Sequence, residues 1–269
     1  MTAVLSILIC LFLLLQLVAF FKKDPADINA QNPYLFPQYI DTQLEPAMAQ
    51  AARNMPAKPG YVPSFYTKYL KPILDIVLAF MGLILLSPVF LVIVVAMIVD
   101  DPGPIFFKQK RVGKGKTFFL LHKFRSMKMS TPHDVPTHQL SNPEQYITKV
   151  GKFLRKTSLD ELPQIWDIFR GKMSVIGPRP ALWNQADLVA RREQYAANDI
   201  KPGLTGWAQI NGRDELEIPV KAQLDGEYVR RMSFLFDCQC FWGTILSVLK
   251  HEGVVEGGTG ELHKAEGQK

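Results

Sequence analysis

Cysteine is scarce in this chain: Cys10, Cys238 and Cys240 form an odd set with neither a C-x-x-C pair nor a zinc spacing. That excludes a disulfide framework and a cysteine-built metal centre, and we read the three as reduced thiols. Metal-like histidine spacing is also absent, since His133 and His138 sit in a polar, proline-containing loop over residues 130–143 at a separation that suits no helix face. A cleavable leader is not expected either. The apolar run at residues 3–21 carries no positive charge before it and no small-residue cleavage site after it, so it reads as a retained anchor. Residues 24–63 show no sustained period of either kind, and seven prolines from Pro25 to Pro63 make them a partly extended linker.

What is present is apolar and basic. With 269 residues, 48% of them hydrophobic, there is room for one catalytic domain plus membrane-embedded pieces, and too little for two large domains. Lys+Arg number 31 against 25 Asp+Glu, a net charge of +6, with a pI near 9.1. Such a balance suits nucleic acid or an anionic lipid surface, and the long apolar runs favour lipid, so no nucleic-acid partner is expected.

The run at residues 3–21 is broken only by Ser6 and Gln16 and is followed at once by Lys22 and Lys23. It is long enough to cross a hydrocarbon core of about 30 Å, with Lys22 on the inner side. A second run, residues 76–99, is interrupted near its centre by Ser87 and Pro88. Its flanks disagree with a crossing, because Lys58, Lys68 and Lys71 precede it and Lys108, Lys110, Arg111, Lys114 and Lys116 follow it. Both ends then belong on one side of the membrane. Proline removes a helix hydrogen bond and serine can satisfy the freed carbonyl, so Ser87-Pro88 is a natural apex for a bent, re-entrant helix; a kinked full span is the alternative.

Two β-rich runs follow, residues 105–112 and 117–124, joined by a turn at 113–116, which predicts a hairpin with basic residues along it. Its last strand ends in Lys123-Phe124-Arg125, cations that either point at an acidic site or line a solvated edge.

The acidic site is the stretch FLRKTSLDELPQIWDIFRGKMSVIGPRP from Phe153, in which Asp160 and Glu161 lie between Arg155, Lys156 and Arg179. One reading is structural: Ser158 and Glu161 fit an S-x-x-E capping box. Pro163 favours a helix starting nearer itself, which puts both acids in the turn that leads into it. The functional reading is an anion site with a nucleophile in it. A carboxylate attacks phosphorus only if its repulsion from phosphate is cancelled, and arginine forks plus a divalent metal do that.

Farther on, a helix is expected at residues 163–169, another at 181–197, a Gly-rich loop with Trp207 and Arg213, and a helix at 215–231. Residues 234–251 place Leu235, Cys238, Trp242, Ile245 and Leu249 on one face and Asp237, Thr244, Ser247 and His251 on the other. That pattern fits an interfacial helix or a buried core helix equally. The Gly-rich end reads as a tail.

Several motifs in order then bear a family resemblance: the Ser87-Pro88 break, GPIFFKQKRVG from Gly103, KFRSM from Lys123, FLRKTSLDELPQ from Phe153, GKMSVIGPRP from Gly171 and PGLTGWAQINGR from Pro202. Over about residues 68–255 the chain resembles the monotopic phosphoglycosyl transferases, the bacterial sugar transferase family that starts assembly of polyprenol-linked glycans. The resemblance implies an α+β, mainly helical membrane protein: a re-entrant membrane helix plus a small cytosolic-face catalytic domain with a β-hairpin and interfacial amphipathic helices. It divides the chain into an anchor (1–23), a linker (24–65), the re-entrant helix (66–100), the catalytic domain (101–255) and a mobile tail (256–269), at the cytoplasmic face of a bacterial inner membrane.

The implied reaction moves a sugar-1-phosphate from a UDP-sugar to polyprenyl phosphate. In such enzymes an aspartate, here Asp160, attacks the sugar-bearing phosphorus, touches Mg²⁺ and expels UMP, while Glu161 assists as base or positions the acceptor. Arg155 and Arg179 are implied to bind phosphate oxygens, with Lys123, Arg125 and Arg213 as further cations for the substrate phosphates. A catalytically inactive scaffold of a polysaccharide assembly complex is the alternative, and the intact set of acids and bases argues against it. A conventional glycosyltransferase would want a D-x-D metal site on a large nucleotide-binding fold, and no convincing one occurs. Exposed apolar helices permit a homodimer without requiring it. The sugar and the glycan pathway are not written in these residues.

Overall fold

A computed structural model describes residues 61–131, 143–212 and 216–250, without the side chains of 248–250. The 3–21 anchor, most of the linker, Cys10, His133, His138, Arg213 and the tail from residue 251 lie outside the described residues.

After a π-helical turn, Tyr66–Leu70, the chain forms helix α1 (Lys71–Leu85) and helix α2 (Ser87–Asp100). The pair bends by 57° between Leu85 and Ser87. Pro88 has no N–H to give the carbonyl of Ile84, and the Ser87 hydroxyl donates to that oxygen instead at 2.8 Å. Serine and proline thus act together, as their place in the run implies. No single helix among the described residues is long and apolar enough to cross a membrane, whereas the bent pair passes that test jointly.

Only a narrow stripe of α1 and α2 faces the protein. Asp75, Ala79 and Leu83 on α1 and Phe90, Ile93 and Met97 on α2 are buried at helical spacing, while Ile73, Val77, Phe80, Val92 and Val99 remain exposed. An apolar surface this continuous marks contact with something other than water.

The buried stripe meets two clusters. Ala79 and Leu83 pack with Phe119, Leu121, Ile165, Trp166, Ile168 and Met173. Phe90, Ile93 and Met97 pack with Phe124 and Leu154. The strand residues come from an antiparallel hairpin, β1 (Phe106–Val112) and β2 (Phe118–Phe124), with Phe106 opposite Phe124 and Val112 opposite Phe118. The expected hairpin is therefore present. Helix α3 (Lys149–Lys156) and the short helix α4 (Gln164–Phe169) supply the rest, apart from Met173, which follows α4.

A second, two-stranded parallel sheet joins β3 (Ser174–Ile176) to β4 (Gly203–Thr205). Between them lies helix α5 (Ala186–Glu193), shorter than the 181–197 helix read from the sequence. The reason is at its start: Ala181 accepts from the Val112 N–H at 3.0 Å and Leu182 bridges to Arg111, so these residues extend the hairpin's edge instead. At the far end Ala196 turns left-handed at φ 56°. After β4 come α6 (Trp207–Ile210), α7 (Ile218–Arg231) and α8 (Phe234–Lys250).

Helix α8 buries a mixed stripe, in which Phe236 and Cys240 pack with Ile176, Ile200 and Tyr228. Its polar residue Asp237 is buried and accepts from the Lys71 ammonium at 2.6 Å, the Tyr66 hydroxyl at 2.6 Å and the Tyr228 hydroxyl at 2.7 Å. Leu235 is 78% exposed and Trp242 63% exposed. Leu235 and Trp242 are thus turned away from the core that Phe236 and Cys240 enter.

The parallel pair is held very close. A Cβ on Gly203 would lie 2.1 Å from the Gly177 nitrogen, so any side chain there forces β3 and β4 apart. We expect Gly203→Ala to lower stability by about 1–3 kcal/mol, read as a shifted denaturant midpoint of the detergent-held protein; an unchanged midpoint would show that the strands part at no cost.

Candidate active site

The acidic pair sits where helix α3 stops. Thr148 caps the start of α3, its side chain accepting from the Gly151 N–H at 2.8 Å. Past Lys156 the chain turns through Ser158, left-handed at φ 57°, into a 3₁₀ turn, Leu159–Glu161, with Pro163 leading α4. The Ser158 side chain makes no cap. The capping-box alternative is therefore not realised, and both acids lie in the turn before α4, as Pro163 implies.

Three separate segments meet at Glu161. Arg179, from the Gly-Pro-Arg-Pro loop after β3, forks onto its carboxylate at 2.6 and 3.1 Å. Lys123, from the end of β2, donates to Oε1 at 2.8 Å. Burial alone would raise the Glu161 pKa, but Arg179 first and Lys123 second outweigh it and hold it well below the usual carboxylate value. A carboxylate held this way is a poor proton acceptor.

Asp160 lives under the opposite balance. Its only ion pair among the described residues is to Lys123, at 4.0 Å. Burial raises its pKa, Lys123 opposes that, the neighbouring Glu161 anion raises it, and Arg155 and Arg179 oppose it more weakly; the net direction is upward. Two adjacent carboxylates are thus pushed apart: one fixed as an anion inside a cation clamp, the other with oxygens left for chemistry.

The clamp is itself supported. The Arg179 carbonyl accepts from the Arg192 guanidinium at 3.0 Å, and Arg192 pairs with buried Asp225 at 2.6 Å. Arg111 donates to the Pro180 carbonyl at 2.9 Å. Behind Lys123, the His122 N–H donates to Asp167 at 2.9 Å and its ring Nδ1 lies 2.7 Å from the same carboxylate. That contact ties β2 to α4. Sequence reasoning missed it because the partners are 45 residues apart and neither carries a motif.

Of the cations expected at the site, Lys123 and Arg179 are there. Arg155 is near enough to act on Asp160 electrostatically while its Nε donates to Ser126 at 2.8 Å. Arg125 is not there. It follows the end of β2 and turns to Asp101, bonding the Asp101 carbonyl and lying 3.5 Å from its carboxylate; that acceptor at the end of α2 captures it first. Arg213 lies outside the described residues. Beside Glu161 opens a cleft of about 260 Å³ whose far wall is formed by β4, α6 and α8.

Comparison with known proteins bears on what this arrangement is. A family model described as bacterial sugar transferase matches residues 66–251. The chain belongs to that family. A UDP-glucose:undecaprenyl-phosphate glucose-1-phosphate transferase of Escherichia coli K12 is 38% identical over 226 residues, 78% of this chain and 47% of that protein. The uncharacterized sugar transferase EpsL of Bacillus subtilis 168 is 37% identical over 185 residues, 69% of this chain and 90% of that one. A UDP-N-acetylgalactosamine-undecaprenyl-phosphate N-acetylgalactosaminephosphotransferase of Aeromonas hydrophila is 34% identical over 194 residues, 70% of this chain and 45% of it. The bacterial sugar transferase chain described here spans about half the length of the Escherichia and Aeromonas relatives.

Removing one arm of the clamp leaves a buried anion underpaired. Arg179→Met is expected to cost about 3–5 kcal/mol at neutral pH. Because the folded-state pKa of Glu161 is depressed, this contribution is full above the unfolded carboxylate value and is lost as pH falls through the folded one. Denaturant melts of both proteins from pH 7 downward check it: the gap must close toward acid, and a gap independent of pH would assign the loss to something other than Glu161.

Proposed function

We propose that this protein transfers a sugar-1-phosphate from a UDP-sugar to a membrane polyprenyl phosphate and releases UMP. Asp160 is the nucleophile. Its carboxylate oxygen bonds to the sugar-bearing phosphorus, the bond from that phosphorus to the UMP oxygen breaks, and UMP leaves with the electron pair. An oxygen of polyprenyl phosphate then attacks the same phosphorus and frees the Asp160 carboxylate. The observation that carries this reading is the divided acidic pair: Asp160, with its oxygens uncommitted, beside Glu161, which collects Arg179 and Lys123 at the place where phosphate must come. The relatives' names, with both glucose and N-acetylgalactosamine donors, support the reaction class and leave the sugar open.

The fit to Mg²⁺ follows from the same donors. Among the described residues no three metal-ligating side chains gather into a cage, and Mg²⁺ is commonly held by one or two carboxylates together with substrate phosphates. Asp160 is the residue that would hold it, and the ion would supply charge neutralisation to the diphosphate. Lys123 and Arg155 orient and offset the incoming charge, and Glu161 fixes Lys123 and Arg179 in place.

For the membrane, we take α1 and α2 as the re-entrant unit with both ends on the cytoplasmic side of the inner membrane, and α8 as lying in the interface. The exposed apolar faces of all three support this. Residues 101–255 are then the catalytic domain, with 1–23 and 24–65 as anchor and linker.

Incubating the detergent-held protein with Mg²⁺ and a panel of UDP-sugars, without polyprenyl phosphate, is expected to give a mass gain of one phosphosugar together with UMP. Asp160→Asn should give neither. An Asp160→Asn protein that still turns over with both substrates would overturn the assignment.

The rate of adduct formation should also rise with pH as Asp160 ionises. Lys123 lowers the Asp160 pKa, so Lys123→Met moves that rising limb to higher pH. A limb that stays put would sever Lys123 from the nucleophile.

A further inference from the structure

The cleft beside Glu161 is walled mostly by apolar side chains, Leu159 and Leu162 from the acidic turn, Leu204 from β4 and Phe241 and Ile245 from α8. Its three threonines are already occupied: Thr205 and Thr244 pair hydroxyl to hydroxyl at 2.7 Å, and Thr157 donates to the Phe153 carbonyl at 2.9 Å. Gln209 also lines it, from the short helix α6. This residue is only 5% exposed, yet neither its amide nitrogen nor its amide oxygen has a hydrogen-bond partner among the described residues. Burying an amide with both ends unpaired is unfavourable, and such groups in folded proteins normally find a partner. Because Gln209 lines the cleft, a molecule bound there could supply that partner.

The lining limits what that partner is. A hexose brings a ring of hydroxyls, and the apolar walls offer them little. A prenyl chain suits the walls and leaves the amide as orphaned as before. What suits both is a flat ring with apolar faces and an edge on which an N–H stands next to a carbonyl, because a glutamine amide offers one acceptor and donors in matching array. Given the transferase reading, on which this step rests, the donor carries one such group, the uracil base. We propose that Gln209 reads the imide edge of the uracil of the UDP-sugar, with the base lodged in the cleft and its phosphates leading past Glu161 to Asp160. Gln209 is then a specificity residue for the nucleotide, remote from bond breaking. The sequence reading passed over it, although PGLTGWAQINGR contains it, because nothing in the spacing shows that its amide is buried and unpaired.

The test uses the full chain in nanodiscs, with UMP and N3-methyl-UMP as probes measured by calorimetric titration. Methylation removes the imide N–H. We expect Gln209→Met, which keeps length and loses the amide, to bind UMP roughly tenfold or more weakly than the wild type. The N3-methyl penalty should be large in the wild type and largely gone in Gln209→Met. A purely structural role for Gln209 would instead lower the melting temperature; losing an unpaired amide should leave it unchanged or raise it. Equal UMP affinity in the two proteins, or the same N3-methyl penalty in both, would overturn the proposal. So would a change confined to the KM for polyprenyl phosphate, which would give the cleft to the acceptor. A wild type that forms the phosphosugar adduct while showing any of these results loses the uracil assignment alone. A wild type that neither binds UMP nor forms an adduct loses the transferase reading, and this inference with it.

Discussion

A single buried glutamate organises the functional end of this molecule. Glu161 accepts from Arg179 and Lys123, and through them joins the turn after α3, the loop after β3 and the end of the hairpin. None of the three has a regular backbone ladder to the other two at that point. A buried ion triad earns little net stability, since desolvation consumes most of the attraction. Its worth is geometric: it specifies where two cations stand, and one carboxylate against two cations leaves a net positive charge for an incoming phosphate. Asp160, one residue earlier, shares the location and is left out of the bonding. The contrast between neighbours is what turns an acidic dipeptide into a site.

The same logic recurs at the apolar helices. Asp237 on α8 is buried against Lys71 of α1 and the hydroxyls of Tyr66 and Tyr228. Asp75 of α1 accepts from the Val175 N–H at 2.9 Å, beside the loop that carries Arg179. These polar anchors face the domain beside a buried apolar stripe, and the rest of the helices' apolar surface faces away. A small domain can in this way hold helices that present hydrocarbon outward. The Asp75 contact also ties α1 to β3, the strand that leads into the Arg179 loop.

Much of this was legible in the sequence where local chemistry decides the outcome. Pro88 forces a break and Ser87 repairs it; Gly113 to Lys116 closes a hairpin; Pro163 places the acids before a helix rather than inside one. Legibility failed where a distant partner decides. Residues 181–185 have helical composition, yet a β1 edge claims Ala181 and Leu182. Arg125 follows Lys123 by two residues on the same strand line, yet Asp101 reaches it first. The helical wheel of 234–251 showed two faces without showing which one the protein keeps. Pairs such as His122 with Asp167 carry no local signature at all.

The division between the two acids also bears on how the second half of the proposed reaction runs. A sugar hydroxyl as acceptor would need a base to take its proton, and Glu161 would be the residue to ask. Arg179 and Lys123 hold its pKa too low for that work. A phosphate monoester acceptor needs no such base, because its last proton leaves near pH 6 and it arrives as an anion with a nucleophilic oxygen. What the site must then provide is not proton transfer but cancellation of repulsion between an anionic acceptor and an anionic phosphosugar. Cations pinned by an unreactive carboxylate do that. A Glu161 that titrated near neutrality would loosen them at the pH where they are needed, so its depressed pKa is the property the chemistry requires.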